Sequence, residues 1–163
     1  MGADLYISKL RKPVEEQWKA KFDEAVALRN AAQDDTTREA AQKLVDEAYE
    51  HRWGGDHYFR DSYNSTSVLG RLGLSWWRDL EYDVQDEEAE INISPDGCRR
   101  FLEKIQAAEL VPATREELER RHAVVDDGEN SVEAWNKYYA DKRERLIAFL
   151  QRAAENGGMY ASC

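Results

Sequence analysis

Apolar residues recur along this chain at the three- and four-residue spacing of helices. Val14, Trp18, Phe22, Ala25 and Leu28 form one stripe, which gives a helix a face to bury. Pro13 suits the first turn of that helix, with Glu15 and Glu16 just behind it. Asp34-Asp35 interrupts the pattern, and Thr36 with Glu39 has capping-box spacing. Ala41, Leu44, Val45, Ala48 and Tyr49 then carry a second stripe to Trp53. So short a connection predicts an antiparallel αα-hairpin.

Beyond Gly54-Gly55 the pattern loosens. The spacing predicts a short helix over 65–72, stopped by Gly73. Residues 4–8 read as a short strand or an extended lead-in, and Ile91-Asn92-Ile93 as a brief strand. Ser94-Pro95 reads as an N-cap and first-turn proline, opening a helix with Cys98, Phe101, Leu102 and Ile105 on one side and Pro112 closing it. Thr114 and Glu117 cap a further helix bearing Leu118, His122 and Val125. Trp135, Tyr139, Leu146, Phe149, Leu150 and Ala153 mark a last helix over 131–156, which Gly157-Gly158 ends. The expected fold is mainly α: a single-domain helical bundle of five or six helices over 1–156, with an N-terminal antiparallel αα-hairpin and at most two short strands. Residues 157–163 read as a flexible C-terminal tail.

Length agrees with one domain, since 163 residues lie within the usual range of roughly 100–200. The net charge of -10 changes the picture more. Residues 79–98 hold eight acidic side chains and no basic one, whereas the segments on either side each balance to -1. Such a chain repels phosphate backbones, so direct nucleic-acid binding is not expected. No apolar run approaches the ~18 residues of a membrane helix, and the first residues lack the basic and apolar regions of a secretory signal. Cys98 and Cys163 then read as free thiols in a reducing, cytoplasmic setting.

Candidate chemistry concentrates in one stretch. Eight of the 17 Phe, Trp and Tyr residues fall between Tyr49 and Tyr82, next to glycines that break helices. Trp53, Tyr58, Tyr63, Trp76 and Trp77 offer rings on which a flat ligand stacks. Arg60 can pair with an anion, while His57, Asp61 and Asn64 can fix orientation. The ordinary role of clustered rings is burial, and Phe59 with Tyr63 also fits a core stripe. His57 and Asp61, four apart, would share a helix face as a general acid–base pair of a hydrolase or lyase, or as a plain exposed ion pair. Asp79, Glu81, Asp83 and Glu90 sit at calcium-loop spacing, but Val84 stands where the turn needs glycine. The acidic 79–96 segment, with Asp83, Asp86, Glu87 and Glu88, suits docking on a basic partner instead. Zinc boxes, nucleophile elbows, phosphate loops and dinucleotide fingerprints are absent from the sequence, so neither metal nor cofactor is expected.

The opening Gly2-Ala3-Asp4-Leu5-Tyr6-Ile7, the block Tyr58-Phe59-Arg60-Asp61-Ser62-Tyr63-Asn64 and Gly73-Leu74-Ser75-Trp76-Trp77 resemble a group of small bacterial and phage proteins with no assigned activity. The resemblance covers the first half, to about residue 80. It implies no chemistry, only an accessory role in a phage or mobile element. The sequence thus predicts a non-enzymatic binding protein. It would hold a small anionic or flat ligand, or a protein partner, through the aromatic–arginine region. The alternatives are an inhibitor or adaptor acting through 79–96, and the His57/Asp61 enzyme. Oligomeric state is left open.

Overall fold

A computed structural model describes all residues except 1, 54, 63–66, 77, 82–83, 86–90, 122–127, 129 and 163, with the backbone alone at 2, 84–85, 91–92, 121 and 162. In chain order it runs β1 (Gly2–Ile7), α1 (Ser8–Ala31), α2 (Asp35–Trp53), β2 (Tyr58–Ser62), α3 (Val68–Arg71), β3 (Val84–Gln85), β4 (Ile91–Ile93), α4 (Pro95–Ala107), α5 (Arg115–Arg121), α6 (Val132–Glu155) and β5 (Met159–Ser162). The protein is mainly helical, and the hairpin α1–α2 forms as the stripes predict. The sheet exceeds the expectation. It has five strands in the order β2-β1-β5-β4-β3, every described pairing antiparallel.

The C-terminal residues are the largest correction. Far from being a loose tail, β5 is the middle strand, with Leu5 opposite Ala161 on one side and Ile93 opposite Met159 on the other. Gly157 and Gly158 do end α6, but both have positive φ (84° and 89°). They turn the chain straight back into the sheet. A β-carbon on Gly158 would lie 2.1 Å from the Ile93 carbonyl oxygen, so only glycine allows β5 to start this close to β4.

That same turn sets the start of α1. The helix begins at Ser8, not at Pro13, which lies inside it. No side chain caps the helix; Ser8 N donates to the Gly158 carbonyl at 3.0 Å and Lys9 N to that of Asn156 at 3.3 Å. Backbone carbonyls of the α6–β5 turn thus satisfy donors that the helix cannot. The cap of α2 also moves: Asp34, rather than Thr36, accepts from Thr37 N at 2.8 Å and from its hydroxyl at 2.7 Å. These bonds hold its carboxyl below the usual carboxylate range. Ser94 and Thr114 cap as expected, and Ser131 caps α6 as well.

Alternation along the strands separates two faces. Ala3, Leu5, Ile7, Phe59, Ile93, Met159 and Ala161 enter the main core, where α4 supplies Cys98, Phe101 and Ile105 and α6 supplies Leu146, Phe149, Leu150 and Ala153. Asp4, Tyr6, Tyr58, Arg60 and Tyr160 lie on the opposite face. The hairpin is an arm whose packing is almost wholly helix on helix, joined to the sheet at its base.

Candidate functional site

β2 decides where the predicted site residues go. His57 and Asp61 have the spacing of one helix turn, but Tyr58–Ser62 is a strand. Four extended residues span about 13 Å, so no dyad forms. Each residue has a structural task instead. His57 is 4% exposed, and its Nε2 lies 3.1 Å from the Arg52 carbonyl at the end of α2. A carbonyl only accepts, so Nε2 carries the proton. Burial pushes the imidazole pKa below its ordinary value, which keeps the ring neutral. The Asp61 carboxylate accepts from Val68 N, Leu69 N and Trp76 Nε1 at 3.2, 3.4 and 3.3 Å, and Lys142 Nζ is 3.1 Å away. It ties β2 to α3, α6 and the Trp76 loop. Trp76 itself is 4% exposed and packs at 5.6 Å from the Phe101 ring, inside the core. These three residues are therefore withdrawn from any binding surface.

Trp53, Tyr58 and Arg60 remain on the outer face, where they meet residues from the two ends of the chain. Register places Tyr58 opposite Tyr6 and Tyr6 opposite Tyr160. The rings follow that register, with centroids 5.2 Å apart for Tyr6–Tyr58 and 5.1 Å for Tyr6–Tyr160. Trp53, at the last position of α2, stands edge-on to Tyr6 at 6.3 Å and to Tyr58 at 6.2 Å. The Arg11 guanidinium lies 4.4 Å over Tyr6 and 4.7 Å over Trp53, and its Nη1 also donates to the Arg52 carbonyl at 3.0 Å.

Every guanidinium here has a carboxylate. Glu15 pairs with both Arg11 and Arg52. Asp4 accepts from the Tyr58 hydroxyl and lies 3.6 Å from Arg60, whose side chain is 63% exposed. Its charge keeps the Arg60 pKa above the ordinary value. Burial pushes the Tyr6 hydroxyl up to about 12, and burial with the bond to Asp4 pushes Tyr58 up as well. Both phenols stay neutral, and that of Tyr58 donates to Asp4. The rings lie side by side across this face, and carboxylates pair with the guanidinium groups around them.

Tyr63, Asn64, Trp77, Asp83, Asp86, Glu87, Glu88, Glu90, His122, Val125 and Cys163 lie outside the described residues. Of the acidic stretch, Asp79 accepts from Ser75 N at 2.7 Å and from Arg78, and Glu81 pairs with Arg100 at 2.7 Å. Those carboxylates are engaged within the fold. Among the described residues, no cluster of three or more His, Cys, Asp or Glu could hold a metal, and no helix is long and apolar enough to cross a membrane. The sequence reading missed Tyr6 and Tyr160, which only strand pairing across the sheet brings beside Tyr58. Comparison of the chain with protein-family models, curated proteins and solved structures finds no match.

Proposed function

We propose that this is a non-enzymatic binding protein that docks a protein partner on the outer sheet face, through Trp53, Tyr58, Tyr160 and Arg60. One observation carries the reading: a sheet face of close-packed Tyr and Trp rings, with Trp53, Tyr58 and Tyr160 half-buried and an exposed Arg at its edge, lies outside the core. Tyr, Trp and Arg are the residues on which interface energy concentrates. The matched charges argue against a small anionic ligand. Asp4 already offsets the Arg60 charge and would repel an incoming anion. A broad partner surface needs neither a free cation nor a slot. The resemblance in the first half suggests a phage or mobile-element accessory protein.

A photo-crosslinking residue in place of Arg60, in the protein's native cells, tests this. It should give one discrete protein adduct, lost when Tyr58→Ala and Tyr160→Ala are added. A probe replacing Glu103, exposed on α4, should give none. Equal adducts from both positions, or none from Arg60, would reject the docking face. Titration of ATP, GTP and NAD into the protein covers the small-ligand form. Stoichiometric heat abolished by Arg60→Ala would reassign the face to such a ligand.

A further inference from the structure

The sheet ends differently on its two sides. β3, at one edge, is two residues long, and a strand that short blunts an edge. β2, at the other, is five residues long and pairs with β1 over its whole length. It contains neither proline nor lysine, and its charged side chains are already matched, Arg60 by Asp4 and Asp61 by Lys142. Register shows what this edge offers. Ile7 N donates to the His57 carbonyl at 2.9 Å. The bonded pairs of β1 and β2 are therefore 7–57, 5–59 and 3–61, and Tyr58, Arg60 and Ser62 turn their main-chain groups away from β1. The Gly55 carbonyl takes the Tyr58 N–H at 3.1 Å. Among the described residues, nothing pairs with the N–H or C=O of Arg60, the central and most exposed residue of the strand.

A donor and an acceptor side by side on an edge strand match another extended main chain. A second copy fits badly. Antiparallel pairing of β2 with itself, the closed two-fold case, has three registers that overlap most of the strand. Centred on Arg60, it sets two guanidinium groups opposite each other. Centred on Asp61, it sets two buried carboxylates opposite each other. Like charges directly opposite are destabilising. Centred on Phe59, it needs the Tyr58 N–H that Gly55 already holds. A net charge of -10 on each chain adds repulsion. The added strand therefore comes from a different protein. Asp4 and Arg60 together present no net charge to it, so an uncharged side chain suits the position facing Arg60.

We infer that β2 is an acceptor edge: the partner of the outer face enters as an extended, uncharged segment that bonds to the Arg60 N–H and C=O and adds a sixth strand. This rests on the outer face being the docking site. Amide hydrogen exchange on the free chain, read by NMR, comes first. The Arg60 amide should exchange about tenfold or more faster than those of Phe59 and Asp61, which bond to β1. Protection equal to theirs would mean that the edge is already covered, and overturns the inference. A photo-crosslinking residue then replaces Tyr49, which is 56% exposed on α2 and close enough to act on the Arg60 charge, in the protein's native cells. Arg60→Ala keeps the main-chain donor; Arg60→Pro removes it, and an edge strand tolerates proline where the N–H faces outward. Adduct yield should fall about tenfold further with Pro than with Ala, the effect of one lost hydrogen bond, at similar urea midpoints. In the purified wild-type adduct the Arg60 amide should gain about tenfold protection, a readout that stands even where the Pro variant unfolds. Equal yields from two folded variants, or an Arg60 amide left unprotected in the adduct, overturns the added strand and leaves face docking intact. No adduct from a probe at Tyr49 or at Arg60 rejects the face and this inference with it. An adduct of two copies of this chain overturns the choice of a different protein.

Discussion

The body and the arm are built from similar amphipathic helices, yet they bury very different residues. In the body, Leu5, Ile7, Leu146 and Leu150 are all 0% exposed, because α4 and α6 lie on a sheet and on each other. In the arm, the most buried positions are Ala25, Ala41, Ala48 and Val45, while Leu28 and Leu44 stay half in water. Helical periodicity is thus a statement about one face of one element. How much that face contributes depends on how many neighbours it has, and hydrophobic stabilisation follows the area removed from water. The body is held by its large side chains; the arm, by small ones and by ion pairs at its base.

The severest way to break the body while sparing the arm is to delete 159–163. β5 is the shared neighbour of β1 and β4, and Met159 is wholly buried. Its loss should abolish the cooperative urea transition. A truncated chain that melts at the wild-type midpoint would show that the sheet does not depend on its central strand. Next in size is Gly158→Ala, expected to cost about 3 kcal/mol, because the new β-carbon meets backbone that must move. Gly73 also has positive φ, 68°, but open space around it. Gly73→Ala should cost only the left-handed backbone penalty, about 1 kcal/mol. Similar losses at the two glycines, read by urea denaturation, would contradict the close approach at Ile93.

Those two glycines also show where the sequence was legible. Periodicity and caps located the hairpin, α4, the start of α5 and α6 to within a few residues, because each is a local pattern satisfied by local bonds. β5 escaped because four residues, Met159–Ser162, carry too little alternation to signal a strand, and a Gly-Gly pair after a helix reads equally as an end or a turn. Pro13 misled for the opposite reason. It is a sound first-turn residue, but Gly158 and Asn156, distant in sequence, start α1 earlier. At the site, a spacing of four was read at helical period in a segment whose period is two. That error joined His57 to Asp61. It also hid the alternation that sends Tyr58 and Arg60 one way and Phe59 and Asp61 the other. Tyr6 and Tyr160 join them only through strand pairing that no short window contains.

A smaller effect tests the comparison directly. Leu150→Ala removes a fully buried side chain from the body and should cost about 3 kcal/mol. Leu44→Ala, half in water on the arm, should cost under about 0.5 kcal/mol. Both are read by urea unfolding. A cost at Leu44 approaching that at Leu150 would mean that Leu44 is covered within the chain, and the arm would no longer differ from the body.

The subtlest effect sits where the two regions join. His57 is buried beside the end of α2, and its pKa lies below the unfolded value. At neutral pH and above, both the folded and the unfolded chain keep it uncharged, so it adds no pH dependence. As pH falls through about 6.5, the unfolded chain takes up a proton that the folded chain does not. Stability then declines by up to about 1.4 kcal/mol per pH unit, until the folded pKa is reached. The urea midpoint should therefore fall between pH 7 and about 5.5, and His57→Gln should flatten that slope. Protonation adds charge at Nδ1 while the Nε2 bond to Arg52 persists, so the cost is desolvation at the junction, not a broken cap. Hydrogen exchange should show it locally. Amides from Arg52 to Tyr58 should lose protection at the lower pH before those of β4 and β5. Equal loss across all strands would place the acid sensitivity in the body as a whole and remove His57 as the hinge between the regions.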